Sequence, residues 1–155
     1  MNYKKLILSI LIPVAVGAIS GFFTNSGVEG WYAVANKPSF NPPNWIFAPV
    51  WTSLYILMGI AMYLIWNAAI DDKKKRRALL LYALQLMLNF LWSFIFFEMQ
   101  QPGAALIEII LMWFSILLTL LAFGKINKAA AWLLVPYLCW VSFAIVLNYE
   151  IWRLN

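Results

Sequence analysis

The sequence predicts an all-α fold: one domain, built as an integral membrane bundle of five transmembrane helices. Three observations carry that prediction. Of 155 residues, 65% are hydrophobic and only 11% are charged. Soluble domains run at roughly 45–50% and about 25%, so this chain has too little polar surface to cover itself in water. Five long apolar stretches follow one another, each close to the roughly 20 residues that cross a bilayer. The basic residues gather in alternate connections, as the positive-inside rule requires of a multi-pass protein.

Residues 6–23 form the first stretch and carry no charge. Lys4, Lys5 and the run Ala18-Ile19-Ser20 also sketch a signal peptide. The charge-free run is longer than a usual signal core, and the charge count works best with it kept as a span. The second helix is expected over 45–69, after a proline-rich lead-in. The third, 78–97, is bounded by Arg77 and Glu98. The fourth, 104–124, is apolar apart from Glu108 and ends at Gly124. The fifth covers 129–151 around Pro136, and membrane helices tolerate such a proline.

Orientation follows from lysine and arginine. With the N-terminus inside, the inner segments hold Lys4, Lys5, Lys73, Lys74, Lys75, Arg76, Arg77, Lys125 and Lys128. The outer segments hold Lys37 and Arg153. Nine against two places the N-terminus in the cytoplasm and the C-terminus outside the cell membrane. The net charge of +5 is then a topological anchor. Lipid headgroups are a weaker second partner for it, and nucleic acid is not supported. Nine Trp, seven Tyr and eleven Phe stand beside no His and one Cys. That inventory excludes a disulfide scaffold, a His/Cys zinc site and a His-based triad.

Helical rise of about 1.5 Å per residue converts position into depth. Trp51 lies about 9 Å below the outer end of its span, Trp92 about 8 Å, Asn89 about 12 Å, Ala144 about 10 Å and Trp140 about 16 Å. These residues cluster in one half of the bundle. The loop 24–44 lies on the same side and holds Trp31, Tyr32, Phe40, Pro38, Pro42 and Pro43. Its prolines fix φ, so the loop reads as a semi-rigid lid. Gln85, Asn89, Trp92 and Phe96 share a helical stripe that must face inward, because an amide facing lipid is costly. With Trp51 and Trp140 and the small Ala144, they suggest a cavity with flat aromatic walls and an amide floor. Trp31, Trp45, Trp66, Trp132 and Trp152 fit an interfacial belt instead. For Trp51, Trp92 and Trp140, ligand contact and core packing stand as equal readings, and Asn89 alone also fits helix–helix glue. Glu108 should snorkel to water or pair. Gly17-xxx-Gly21 permits close contact, within the bundle or between protomers.

The runs Trp31-Tyr32, Lys37-Pro38, Asn41-Pro42-Pro43-Asn44-Trp45 and Pro49-Val50-Trp51, with Tyr55 and Met58-Gly59, resemble the tryptophan-rich sensory protein / translocator protein family, TspO/MBR, also called peripheral benzodiazepine receptors. Leu88-Asn89-Phe90-Leu91-Trp92-Ser93 and the stretch from Pro136-Tyr137 through Trp140, Phe143-Ala144 and Leu147-Asn148-Tyr149 to Trp152-Arg153 extend the likeness over nearly the whole chain. The resemblance implies a five-helix receptor whose pocket is closed by the first loop. It implies as partners porphyrins, isoquinoline-carboxamide and benzodiazepine-type drugs, sterols in some members, and membrane lipid. Carried over, the ligand-binding residues would be Tyr32, Pro42, Trp51, Asn89, Trp92, Trp140 and Ala144. Leu147, Tyr149 and Arg153 fit a sterol consensus of weak specificity. The lysine-rich inner loops look bacterial, where a sterol is an unsuited native ligand. Many animal members carry a His in the proline-rich loop, and some carry Trp where Ala104 stands; this chain has neither. Small-residue motifs tied to a homodimer in some members are poor on span three.

With no His for an axial position, the expected ligand is a metal-free, protoporphyrin-like tetrapyrrole, and no cofactor is required. Light- and oxygen-dependent porphyrin degradation is the enzyme alternative. Trp51 and Trp140 would then be the catalytic, redox-active groups, since acid–base machinery is missing. Transport is the third reading, although no inverted repeat supports it.

Overall fold

The computed structural model describes residues 2–155. Six α-helices follow in order: α1 (Tyr3–Glu29), α2 (Trp31–Val34), α3 (Asn44–Trp66), α4 (Asp72–Ser93), α5 (Pro102–Gly124) and α6 (Lys128–Leu154). A π-helical turn, Phe94–Glu98, continues α4. Among the described residues there is no strand. Five helices, α1, α3, α4, α5 and α6, are long and apolar enough to cross a membrane.

The helices begin and end where local chemistry says they should. Asn2 caps α1 by accepting from the Lys5 amide at 3.2 Å, Asp71 caps α4 through Lys74, and Asn127 caps α6 through Ala130. Proline opens α5, where its missing N–H costs nothing. The basic run 73–77 is drawn into α4 because Lys and Arg are good helix formers. The third span therefore starts earlier than its apolar stretch.

Two expected boundaries move further. The second span stops at Trp66 rather than 69, because the amides of Asn67 and Ala68 bond back to Tyr63 and Ile65 and end the helix. The first span runs to Glu29 rather than 23. Thr24 and Ser26 spend their hydroxyls on the carbonyls of Ser20 and Phe23, so these polar residues satisfy themselves without leaving the helix. The segment joining α1 to α3 is thus shorter than 24–44 and contains the single turn of α2.

The five long helices close into a ring: α1 packs on α3, α3 on α6, α6 on α5, α5 on α4, and α4 on α1. α1 is one stave of that ring. Lipid tails are as apolar as leucine, so close packing and interhelical hydrogen bonds must hold such a ring together. At the end carrying Lys4, Lys125 and Lys128 the fit is tight. Met58, Ile65, Phe123, Leu134 and Tyr137 are fully enclosed, and Tyr82 stacks on Phe123 with centroids 5.8 Å apart. Gly59 brings α3 onto the backbone of α1 at Ser9 and Ile10, where a Cβ would collide. Gly17 likewise sits under the Tyr55 ring, so the first glycine of the pair serves contact within the bundle.

Candidate functional site: an aromatic pocket beneath the lid

The opposite end of the ring is loosely filled. Here α4 changes pitch into the π-turn, and Phe96 and Phe97 within it are both buried. Gln100, with φ of 55°, then turns the chain into α5. Phe96 stacks on Trp92 (5.2 Å, 25°), and Phe97 packs edge-on to Phe96 (4.9 Å). From α3, Trp51 stacks on Tyr55 and meets Trp140 edge-on at 6.5 Å. From α6, Trp140 continues to Phe143 at 5.5 Å.

These rings enclose a pocket of about 510 Å³, counting the part open at its mouth. Its lining includes Tyr32, Phe47, Trp51, Trp92, Phe96, Phe97, Trp140 and Phe143, with Thr24, Ala144, Leu147, Asn148 and Ile151 between them. Ala144, flanked by large rings, contributes a methyl where another aromatic would fill the space.

The lid is pinned. The Trp31 indole donates to the Phe97 carbonyl (3.2 Å), and the Tyr32 hydroxyl donates to Asn41 Oδ1 (2.6 Å). Asn41 donates in turn to the Pro42 carbonyl. The Lys37 ammonium donates to the carbonyls of Tyr32, Ala33 and Ala35 and lies 4.9 Å over the Tyr32 ring. Asn36 and Asn155 exchange hydrogen bonds, and Asn36 also donates to the Leu154 carbonyl, which ties the lid to the end of α6. Burial pushes the Tyr32 hydroxyl up to about 12, against a smaller opposing pull from Asn41.

Of the residues singled out in the sequence, Tyr32, Trp51, Trp92, Trp140 and Ala144 meet in this pocket. Pro42 does not reach it and serves the Asn41 contact. Asn89 is not its floor. It lies below, 1% exposed, accepting from the Tyr55 hydroxyl and donating to the Tyr137 hydroxyl (3.0 Å). Two tyrosines from α3 and α6 consume its amide, as the helix–helix reading requires.

The amide on the pocket wall is Asn148. It accepts from the Trp92 indole (3.0 Å), donates to the Pro102 carbonyl (2.7 Å), and so fixes a pocket ring to the start of α5. Its place four residues beyond Ala144 and eight beyond Trp140, on one inward stripe, was the available signal. Phe47, Phe97 and Phe143 were also missed as wall residues.

Several other expectations change. Trp31 belongs to the lid and packs on Phe96 (5.5 Å), whereas Trp45, Trp132 and Trp152 are exposed at helix ends. Glu108 neither snorkels nor pairs: it faces inward at 8% exposure, and neither carboxylate oxygen has a partner among the described residues. It lies about 9 Å along α5 from Pro102, on the face turned to the bundle interior. Leu147 faces the pocket, Tyr149 is 43% exposed, and Arg153 pairs with Glu150 (2.6 Å), so the sterol-consensus residues share no single face. Among the described residues, no three His, Cys, Asp or Glu side chains gather into a metal-binding group.

The model of the TspO/MBR family matches residues 9–153. The chain belongs to the TspO/MBR family. It is a multi-pass membrane protein. It is 46% identical to the tryptophan-rich protein TspO of Chlorobaculum tepidum, over 100% of this chain and 99% of that one. It is 42% identical to the translocator protein of Homo sapiens, over 88% of this chain and 80% of the relative. It is 41% identical to the tryptophan-rich sensory protein of Cereibacter sphaeroides, over 82% of this chain and 78% of the relative. The lid and pocket lie inside the matched residues of this TspO/MBR chain.

Proposed function

We propose that this protein is a membrane receptor or sensory protein that binds flat, apolar ligands in the pocket beneath its lid. Porphyrin-type tetrapyrroles are the first choice; isoquinoline-carboxamide and benzodiazepine-type compounds are smaller, apolar aromatic alternatives. The observation that carries the reading is a pocket walled by eight aromatic rings, with polar lining only at Thr24, Tyr32 and Asn148 and the indole nitrogens. Ring faces stack on a π-system, and the few polar groups near the lid suit a carboxylate edge. Family membership supports the reading, since relatives are named sensory and translocator proteins. The nine-to-two split of basic residues supports an N-terminus in the cytoplasm and a lid facing outward across the cell membrane.

Protoporphyrin titrated against intrinsic tryptophan fluorescence tests this reading. Saturable quenching is expected, weakened at least tenfold in Trp51→Ala plus Trp140→Ala. Absence of saturation in the wild type would overturn it.

A second reading, degradation of the bound porphyrin with light and dioxygen as oxidant, is favoured by one feature. Trp51 touches Tyr55, Tyr137 and Trp140 together, a contiguous set of oxidisable rings. Product formation that survives intact in Trp51→Phe and Trp140→Phe would remove those residues from any such chemistry.

A further inference from the structure

A second cavity lies beside the pocket, a groove of about 950 Å³ between α1 and α3, counting its open side. The pocket and the groove share three residues: Thr24, Phe47 and Trp51. Those side chains are therefore a partition with space on both sides. We infer that this groove is the pocket's entrance from the membrane: a flat apolar ligand dissolved in lipid passes sideways between α1 and α3, displacing the Phe47 and Trp51 rings while the lid stays closed. The inference rests on the pocket reading above and names the route to that site.

Four features support it. The lid is fastened by hydrogen bonds to the ends of α4 and α6. The partition is held differently, by ring contacts without hydrogen bonds: Phe47 and Trp51 meet Trp140 by their edges, at 6.3 and 6.5 Å, and Trp51 also stacks on Tyr55 and meets Tyr137 edge-on. Ring contacts can slide and re-form as the rings turn, whereas directional hydrogen bonds must break together. Pro49 lies between the two partition residues and lacks the N–H that would tie this turn of α3 to the Trp45 carbonyl, so the turn yields more readily. Finally, the groove is open where it should be. A Cβ added at Gly21 would meet nothing within 4 Å, whereas one at Gly17, a turn deeper, would strike Tyr55. Ala48 and Thr52 face Gly21's side of the groove as small exposed residues. The ligand this route admits is the class that partitions into lipid, which is also the class the pocket suits.

Gly21 and Ala48 line the groove and not the pocket, so filling there separates route from site. Association and dissociation of protoporphyrin would be followed by stopped-flow tryptophan quenching in lipid nanodiscs. The wild type is compared with Gly21→Phe, with Ala48→Phe as the second groove-filling variant should the first fail to fold. A third protein staples the lid through Asn36→Cys and Asn155→Cys in a Cys139→Ser background. The expected result is that groove filling slows association and dissociation together by at least tenfold, leaving Kd within about twofold, while the stapled lid keeps wild-type rates. Wild-type rates in the groove-filled proteins would overturn the route, as would a tenfold loss of affinity at unchanged association rate. Failure of the wild type to bind at all would strike the pocket reading instead.

Discussion

Small residues do two opposite kinds of work in this bundle. Near the lysine-rich end, Gly59 lets α3 press against the backbone of α1 at Ser9 and Ile10, and the surrounding Met58, Ile65 and Leu134 are enclosed. At the lid end, Ala144 and Gly21 face space, Ala144 in the pocket and Gly21 in the groove. A glycine brings helices together where a neighbour moves in to meet it, backbone at Gly59 and an aromatic ring at Gly17, Gly27 and Gly103. Where no neighbour moves in, as at Gly21 and beside Ala144, the missing volume is left as cavity space. Packing at one end thus supplies the rigidity that a site at the other end needs.

The sharpest way to break that contrast is to add volume at each end. Gly59→Val should lower stability by about 1–3 kcal/mol or more, because the obstacle is backbone and cannot step aside. Gly21→Val should leave the unfolding temperature in detergent within a degree or two. If both variants unfold alike, the lid end is packed as tightly as the other and the contrast is wrong.

The two buried asparagines sharpen the comparison at a finer scale. Asn89→Leu removes the acceptor of the Tyr55 hydroxyl and the donor to the Tyr137 hydroxyl, leaving the latter only Met112 Sδ, and should cost about 1–3 kcal/mol without touching the pocket wall. Asn148→Leu strands the Trp92 indole and the Pro102 carbonyl at a similar cost, and it also frees a wall ring. Thermal unfolding should therefore fall in both, while protoporphyrin affinity falls several-fold only in Asn148→Leu.

The smallest effect concerns pH at the lid. The Tyr32 hydroxyl titrates near 12 when the lid is closed, above the value of about 10 it has in an unfolded chain. Its contribution to lid closure is full below pH 10 and is lost as pH rises from 10 to 12. Proteolysis of the lid should be flat from pH 7 to 9 and accelerate above 10, and Tyr32→Phe should remove that rise.

The order of the spans was legible because charge is so rare here: Asp71 through Arg77, Lys125 and Lys128 punctuate the sequence unmistakably. Inward faces were legible too, since stripes such as Trp140, Ala144 and Leu147 follow helical spacing. What spacing could not give was the partner of each inward residue. Asn89 looked like a pocket floor until Tyr55 and Tyr137, from two other helices, were seen to claim both ends of its amide. The extension of α1 was hidden because Thr24 and Ser26 resemble loop residues and satisfy themselves within the helix. The π-turn leaves no mark in composition, so the arrival of Phe97 beside Phe96 was invisible. Trp31 reads as an interfacial anchor because it flanks an apolar span, as Trp45 and Trp152 do.

The central claim is that the space beside Ala144 is the site for a flat apolar ligand. The direct measurement is the equilibrium affinity of protoporphyrin for Ala144→Phe beside wild type, each shown to be folded by its unfolding temperature. The account predicts at least a tenfold weaker Kd in the folded variant, because the added ring takes up space in the pocket. An Ala144→Phe protein that binds as tightly as wild type would contradict it.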